Sequence, residues 1–403
     1  MAEAAPVTGT FVVVGIGADG WEGLGRRARD ELAGAEIIIG SHRQLDLLPD
    51  LPARTEAWTS PMSTHLNRLI TDEDDGVRHI LASGDPMFHG VGTTLVRAVG
   101  SDRVRVLPTV SSAALACARL GWDLTDVQVV SLVTHDVATL SAELDDDREL
   151  LILSRDDTTP HEVAKLLTAN GFGWSSMTVL EQLGGPDERV MRGVARTWVE
   201  PPGDRLNIIA IGCVGPHRSR APGRPDDGYD HDGQITKQPI RALTVSALAP
   251  SRRQLLWDIG SGSGSVAIEW LRAEPTGRAM AFEIDAERRQ RLHDNAVRHG
   301  VHERLTVRGA APSDCATAPE PDVVFIGGGL DDDLLTAVWE LAPSGGRLVA
   351  NAVTLENQTL LTEWYARHGG SLRRHMVETA AALGSMTTWR PALPIVQWVV
   401  DRP

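Results

Sequence analysis

The sequence predicts an α/β fold with two domains, each built on a sheet with glycine-rich loops at the ends of its strands. Short runs of Val, Ile and Leu alternate with helix-length segments, which is typical of α/β proteins. This rhythm stops once, in a polar stretch near the middle, and then starts again. A chain of 403 residues also exceeds one compact core of ordinary size. We therefore expect two domains.

Apolar runs mark the expected strands on both sides of this break. In the N-terminal half they are FVVVG (11–15), AEIIIG (35–40), RHILASG (78–84), VRVLP (104–108), VQVVSL (127–132), LLILS (150–154), MTVLEQL (177–183) and NIIAIG (207–212). In the C-terminal half they are LLWDIG (255–260), AMAFEID (279–285), LTVRG (305–309), DVVFIGG (322–328) and GRLVANAV (346–353). The second set predicts a doubly wound open sheet. No internal repeat relates the halves, so we expect two different α/β domains.

The polar stretch is the expected linker. It reads HRSRAPGRPDDGYDHDGQ and combines Pro, Gly, Asp and Arg without apolar periodicity. This assignment places the first domain at residues 1–216, the linker at 217–234 and the second domain at 235–403.

Composition and charge narrow the class of protein. Apolar residues make up 42% and charged residues 23% of the chain, as in soluble globular proteins. With no signal-peptide pattern and no run of about 18 apolar residues, we expect a cytoplasmic protein. The net charge of −15 opposes nucleic acid as a partner. Cys117, Cys213 and Cys315 stand far apart, so we expect neither a disulfide framework nor a metal site.

A glycine-rich loop in the second half is the strongest local motif. Alternate glycines permit a tight turn and let a ligand approach the backbone closely. Glu283 closes the next strand, where a carboxylate can accept both hydroxyls of an adenosine ribose. The G-x-G-x-G spacing differs from that of dehydrogenases and is associated with class I methyltransferases. The expected ligand-binding residues are Asp258, Gly260, Ser261, Gly262, Ser263, Gly264 and Glu283.

The first half contains a weaker motif, GIGADG at residues 15–20, which formally matches G-x-G-x-x-G. A NAD site would also need an acid at the tip of the following strand, but that strand leads into Ser41-His42-Arg43. Two further loops follow expected strands, SGDPMFHG at 83–90 and PTVSS at 108–112. Open α/β sheets bind ligands at the carboxyl ends of their strands, which makes these loops candidates for a binding site.

The three segments VVVGIGADG, SGDPMFHGVGTTL and PTVSSAALACARLG together resemble the N-terminal part of class III tetrapyrrole methyltransferases. The resemblance implies two α/β subdomains with a cleft between them, and a cleft that binds S-adenosylmethionine. The cofactor-binding residues that it implies are Gly15, Gly17, Ser83, Gly84, Asp85, Phe88, Ser111 and Ser112.

The second half, with ITKQPIRA, DIGSGSGSVAIEW, NAVRHGV, VRGAAPSD and VFIGGG, resembles the Rossmann-like decarboxylating methyltransferases of the corrin pathway. This resemblance adds Thr236 and Ala311 to the cofactor contacts made by the loop at 260–264 and by Glu283. It implies one S-adenosylmethionine site per domain and a tetrapyrrole substrate. The implied reaction is methylation at ring carbons 5 and 15 with loss of CO2 from the ring C acetate. The first domain would methylate carbon 5, and the second would do the rest.

Other features leave alternatives open. Lys237, Arg241 and Asn351 are candidates for the acid in decarboxylation, although such cations equally suit a substrate carboxylate or solvent, and no catalytic residue is assigned. The acidic run at 331–333 indicates a helix N-terminus more than a metal site. A methyltransferase for RNA or protein, and a nucleotide-binding module without catalysis, are the alternative functions. The oligomeric state stays open, a homo-oligomer included.

Overall fold

The structure, a computed structural model, describes residues 10–71, 76–199, 201 and 203–403. These residues fall into two units according to their backbone contacts. The first unit comprises the chain up to Val137 and Asp146–Pro216, and the second comprises Ala138–Asp145 and His217–Pro403.

The first unit begins with a parallel sheet of five strands in the order β3-β2-β4-β1-β5. Because β1 lies between β4 and β5, the loops that follow these three strands share one edge. The strands are β1 (Thr10–Ile16), β2 (Ile37–Gly40), β3 (Arg54–Ala57), β4 (Val77–Ser83) and β5 (Val104–Leu107). The helices are α1 (Gly20–Gly23), α2 (Arg26–Ala33), α3 (His42–Asp46), α4 (Met62–Thr71), α5 (Val91–Val99) and α6 (Ser112–Leu120).

A second, mixed sheet completes the first unit, in the order β6-β7-β10-β8-β9. Only β6 and β7 run parallel, while the other neighbours are antiparallel. The strands are β6 (Gln128–Ser131), β7 (Glu149–Leu153), β8 (Ser176–Glu181), β9 (Arg189–Val194) and β10 (Asn207–Gly212), and the helix is α7 (Thr159–Ala169). The unit thus has the two α/β subdomains that the sequence predicted.

The second unit is a seven-stranded sheet in the order β13-β12-β11-β14-β15-β19-β16, accompanied by the hairpin β17–β18. Its strands are β11 (Leu255–Ile259), β12 (Arg278–Phe282), β13 (Leu305–Arg308), β14 (Val323–Ile326), β15 (Arg347–Ala352), β16 (Ser371–His375), β17 (Glu378–Leu383), β18 (Met386–Pro391) and β19 (Ile395–Asp401). Its helices are α8 (Gln238–Leu248), α9 (Ser265–Ala273), α10 (Ala286–Arg298), α11 (Asp332–Leu341) and α12 (Leu355–His368). Short 3₁₀ helices occur at Ser101–Arg103, Val137–Ala142, Ala195–Thr197, Asp226–Gly228, His302–Arg304 and Cys315–Thr317.

The strand order of the second unit creates a switch point between β11 and β14. The chain builds β11, β12 and β13 outward in one direction and then returns to build β14 and β15 in the other. The five strands are parallel, and β19 joins them antiparallel to β15. In such sheets the crevice at the carboxyl ends of the two switch-point strands is the ligand site. The doubly wound sheet predicted from the sequence is confirmed.

Both faces of this sheet are covered, which explains its near-continuous apolar strands. Within β11, Leu256 packs into one buried cluster with Trp270 of α9, whereas Trp257 packs into the cluster on the opposite face. Trp364 of α12 and Trp398 of β19 belong to that second cluster. The core therefore holds the carboxyl edge of the sheet rigid from both sides.

The segment at 217–234 corrects the linker that its composition predicted. It belongs to the second unit, and Tyr229 within it is 4% exposed. The Tyr229 hydroxyl donates to Glu269 Oε1 at 3.1 Å, and the Gly223 N–H donates to Oε2 at 2.6 Å. A carboxylate that is 2% exposed needs such donors, and the turns of this segment supply them. The second unit also includes Ala138–Asp145, which the sequence had placed in the first domain.

Among the residues described, no helix has the length and apolar character to cross a membrane.

Candidate active site

Three loops of the first unit meet at the carboxyl edge of its parallel sheet. A Cβ atom at Gly15 would lie 2.4 Å from the Gly84 carbonyl oxygen and 3.0 Å from the Thr109 backbone nitrogen. The Gly84 N–H donates to the Ile16 carbonyl at 3.0 Å, so the loops after β1 and β4 are tied together. The structure thus brings together the three loops that the sequence singled out, and Gly15 must lack a side chain for this to happen.

The predicted polar residues of these loops are partly used by the loops themselves. Asp85 Oδ1 accepts the Met87 N–H at 2.8 Å, and Phe88 packs against the apolar cluster under α6. Ser111 Oγ accepts the Ala114 N–H at 3.2 Å and caps α6, which begins at Ser112. These side chains shape the edge, so a ligand there would meet mainly backbone groups and the N-terminus of α6.

A fourth loop, which the sequence reasoning missed, lies against the first glycine loop. A Cβ at Gly185 would be 2.8 Å from Ala18 Cβ, so the chain after β8 passes directly beside residues 15–20. Gln182 adopts a left-handed φ of +47°, and its Nε2 donates to Asp204 Oδ2 at 2.9 Å. The signal in the sequence was Gly184-Gly185 after an apolar run, which marks a strand end.

In the second unit the glycine loop lies at the switch point. Gly260, Gly262 and Gly264 all have positive φ, at +68°, +55° and +76°. A Cβ at Gly260 would lie 2.7 Å from backbone atoms of Gly328, in the loop after β14. The loops after β11 and β14 therefore touch through glycines, as expected where a ligand lies across the backbone.

Two buried carboxylates frame this loop. Glu283 Oε2 accepts the Gly262 N–H at 2.9 Å, and its Oε1 accepts the Asp285 N–H at 3.0 Å. Asp258 is 1% exposed, and its Oδ2 accepts the Ala267 N–H at 3.2 Å. Its other oxygen, Oδ1, is buried without a hydrogen-bond partner among the described residues. Burial raises the pKa of the Asp258 carboxyl to about 7, the Ala267 N–H opposes the rise, and the charge of Glu283 adds to it.

Thr236 and Ala311 are the remaining cofactor contacts predicted for the second unit. The segment that leads to Thr236 passes the loop, because a Cβ at Gly262 would lie 3.8 Å from the Gln234 carbonyl oxygen. Ala311 follows β13 and packs against the apolar cluster around Trp257.

Arg241 is not available to a ligand, which corrects its candidacy. It is fully buried, and its guanidinium donates to Glu269 Oε1 at 2.6 Å and to Asp226 Oδ1 at 3.0 Å. It is an internal ion-pair partner that fastens the former linker segment to α8 and α9. Lys237 lies 3.8 Å from Asp226 Oδ2 and is more than half exposed.

The other polar candidates have structural partners. Asn351 Nδ2 donates to Thr244 Oγ1 at 2.9 Å, and its Oδ1 accepts from Gln397 Nε2 at 3.0 Å. Asp331 caps α11 by accepting the Leu334 N–H at 2.8 Å, in agreement with the helix N-terminus expected there. Within the described ranges, no group of three or more His, Cys, Asp or Glu side chains is arranged to hold a metal ion.

Comparison with known proteins relates both units to methyltransferases. A model of tetrapyrrole (corrin/porphyrin) methylases matches residues 10–198, and a model of the precorrin methyltransferase domain matches residues 227–402. A protein of Mycobacterium tuberculosis, named precorrin-6Y C(5,15)-methyltransferase [decarboxylating], is 46% identical over 397 residues, which cover 97% of this chain and 100% of that protein. The chain belongs to the precorrin-6Y C5,15-methyltransferase (decarboxylating) family. Both halves of the resemblance seen in the sequence are confirmed.

Two shorter proteins each match part of this chain. A cobalt-precorrin-7 C(5)-methyltransferase of Salmonella typhimurium is 29% identical over 180 residues, which cover 45% of this chain and 88% of that protein. A protein of Saccharolobus solfataricus, named probable cobalt-precorrin-6B C(15)-methyltransferase (decarboxylating), is 34% identical over 142 residues, which cover 34% of this chain and 71% of that protein. Methyltransferases of these families depend on S-adenosylmethionine.

Proposed function

We propose that this enzyme methylates precorrin-6Y at ring carbons 5 and 15 with S-adenosylmethionine, removes CO2 from the ring C acetate, and releases precorrin-8. The observation that carries the proposal is that each unit has a sheet edge where loops meet at a glycine, Gly15 in the first and Gly260 in the second. The chain also matches a member of this family along 97% of its length. Each edge is a separate cofactor site.

We assign the two activities to different units, the methylation of carbon 5 to the first, and the methylation of carbon 15 with decarboxylation to the second, which includes the former linker segment at 217–234. The family models support this division, since the tetrapyrrole methylase model ends at residue 198 and the precorrin methyltransferase model starts at 227. The names of the two shorter relatives support it as well, because they separate C5 methylation from decarboxylating C15 methylation.

The second site fits the cofactor through its two acids. Each Glu283 oxygen accepts one backbone N–H and retains acceptor capacity for a ribose hydroxyl. The buried Oδ1 of Asp258 lacks a partner, as expected for a group that faces the cationic end of the cofactor. The backbone of residues 260–264 would contact adenosylmethionine, and Thr236 and Ala311 would lie at the rim of this site.

The first site would hold the cofactor through Gly15, Gly17, Gly84 and the N-terminus of α6. Ser83 and Ser111 present hydroxyls at the same edge, while Asp85 and Phe88 keep the second loop in shape. A helix N-terminus suits a carboxylate, which the methionine part of the cofactor carries.

Bound adenosylmethionine supplies an electrophilic methyl group, so neither unit needs a nucleophile of its own. The residues of the chain orient the tetrapyrrole carbon towards that group and exclude water, and this positioning supplies much of the rate. The substrate's conjugated ring can accept the electrons released when the acetate loses CO2, so the second unit needs to hold the acetate rather than to oxidise or reduce it.

The raised pKa of Asp258 predicts that cofactor binding at the second site releases protons. With its pKa raised to about 7 by burial, the free enzyme keeps this carboxyl protonated at about pH 6. A cationic ligand favours the ionised form, so binding at about pH 6 should release up to one proton, and binding at about pH 8 almost none. Calorimetry with adenosylmethionine in two buffers of different ionisation enthalpy measures this release.

Asp258→Asn is the control for that titration, since an amide cannot lose a proton in this range. The raised pKa means that the folded enzyme binds the proton more tightly than the unfolded chain does. The contribution of Asp258 to the stability of the ligand-free enzyme should therefore fall as the pH rises from about 4 to about 7, and the difference in stability between the wild type and Asp258→Asn should change with pH accordingly. Equal proton release by the wild type at both pH values would contradict the role of Asp258.

The proposal is tested with the whole chain and precorrin-6Y. Calorimetry should find two adenosylmethionine molecules per chain, and mass spectrometry should find a product with two added methyl groups and one lost CO2. Binding of a single cofactor would overturn the two-site proposal. Methylation of RNA or protein, or tight cofactor binding without any methylated product, would favour the alternative functions.

A further inference from the structure

An arginine of the first unit lies beside the candidate cofactor loops. Arg43 is on α3, directly after β2, and is half-buried. Its Nη2 donates to Ser83 Oγ at 2.8 Å, and the same oxygen accepts from Gln44 Nε2 at 3.0 Å. Among the described residues, no carboxylate lies within ion-pair distance of Arg43. One neutral hydroxyl therefore engages a group that has five N–H donors.

The start of the helix that carries Arg43 is fixed by hydrogen bonds. Ser41 and Gln44 form a reciprocal capping box at the start of α3, in which Gln44 Oε1 accepts the Ser41 N–H at 2.7 Å. Ser83 ends β4, and the next residue, Gly84, is the one that approaches Gly15 most closely. Arg43 is therefore held at the edge where the loops of the first site meet.

The positive charge of Arg43 is only partly compensated by the negative charge near it. Burial lowers the pKa of its guanidinium, and the charge of Asp204 opposes this at a distance. Asp204 itself accepts from Gln182 Nε2 at 2.9 Å and from the Leu206 N–H at 2.7 Å. A partly desolvated cation of this kind gains most from an anionic ligand that binds next to it.

The overall charge of the enzyme makes such a cation useful. The net charge of −15 opposes the approach of a substrate with several carboxylates, and a local cation at the site counters this. A guanidinium matches a carboxylate with two parallel hydrogen bonds, which also fixes the orientation of the bound group.

We propose that Arg43 binds an acetate or propionate carboxylate of the tetrapyrrole and thereby orients the macrocycle for C5 methylation. This inference rests on the proposed function of the first unit. The competing role is purely structural, in which Arg43 only holds the Ser83 loop through its hydrogen bond.

Two substitutions separate these roles in the full-length enzyme. Arg43→Gln keeps an N–H donor for Ser83 but removes the charge, whereas Arg43→Lys keeps the charge. We expect Arg43→Gln to raise the KM for the tetrapyrrole in C5 methylation about 10- to 100-fold, with the adenosylmethionine Kd unchanged. Arg43→Lys should lie between this variant and the wild type. The matched control is Arg26→Gln, which removes an exposed arginine that pairs with Asp30 and should change neither the KM nor the cofactor Kd.

Ionic strength gives a second readout that a structural role would not move. Added salt should shrink the difference in KM between the wild type and Arg43→Gln, because it screens the attraction between Arg43 and the carboxylate. A normal KM in Arg43→Gln would overturn the inference, as would a joint loss of cofactor binding in both the Gln and the Lys variant.

A result that rejects C5 methylation can be told apart from one that rejects the carboxylate site at Arg43. If the wild type forms no C5-methylated product, binding of uroporphyrin, a porphyrin with eight carboxylates, can still be followed by its fluorescence. Weaker binding by Arg43→Gln than by the wild type would then retain the carboxylate site while the methylation is rejected. Equal binding by the two proteins would overturn the site.

Discussion

Gly260→Ala is expected to abolish C15 methylation and decarboxylation while C5 methylation continues. Its φ of +68° disfavours any side chain, and the new Cβ would lie 2.7 Å from backbone atoms of Gly328, which cannot rotate away. The strain and the clash each cost about 1–3 kcal/mol, so the two loops must separate and lose the cofactor. We expect at least about a 100-fold loss of affinity at the second site. Calorimetry should then find one adenosylmethionine per chain, and mass spectrometry a singly methylated tetrapyrrole.

Gly345→Ala is the matched control for this variant. Gly345 also has a positive φ, +81°, but a Cβ there would meet nothing within 4 Å. The variant should lose about 1 kcal/mol of stability and retain both cofactor sites. Gly260→Ala with two intact sites would show that the cofactor does not lie at the switch point.

Gly15→Ala is expected to have the complementary effect, with loss of C5 methylation alone. A Cβ at this position would lie 2.4 Å from the Gly84 carbonyl oxygen and 3.0 Å from the Thr109 nitrogen, so all three loops of the first site would have to move. Because β1 is paired on both sides, with β4 and with β5, the shift cannot be absorbed at an edge of the sheet. The product should be decarboxylated and methylated once, at carbon 15.

Gly25→Ala serves as the control in the first unit, since a Cβ there meets nothing within 4 Å and Gly25 lies outside the loops. It precedes α2 as the N-cap, so the cost should not exceed about 1 kcal/mol. If Gly15→Ala retained C5 methylation at the wild-type rate, the division of activities between the units would be wrong. If either glycine variant lost both activities, the two sites would not be independent.

The sequence predicted the central strands and the glycine loops because their signals are local. The runs FVVVG and LLWDIG are apolar apart from Asp258, because strands covered on both faces need few polar residues. The strands β3 and β9 were missed because both are edge strands with polar sequences, RTEA and RVMRGV. Strand β19 was missed although its sequence, IVQWVVD, is an apolar run of the same kind, and its place between β15 and β16 has no local signal at all.

Polar residues were harder to interpret than apolar ones. The composition of the segment at 217–234 is that of a linker, yet its backbone N–H groups satisfy the buried Glu269. Arg241 had the residue type of a substrate contact, but its guanidinium is consumed by Glu269 and Asp226. Whether a charged side chain serves a ligand or the core depends on the partners around it, and those lie far away in the sequence.

The sequence by itself determined the two α/β units, the family and the loops that form each candidate site. The units and the loops follow from periodicity and from glycine spacing, which act over a few residues, whereas the family follows from the resemblance of the motifs. Only the tertiary structure decided that Gly15 and Gly260 have no room for a side chain, that Asp258 retains an unpaired oxygen, and that Arg43 lies beside Ser83. Each of these depends on atoms from separate strands that meet at one sheet edge, and the distance between such atoms is set by the packing of the whole sheet.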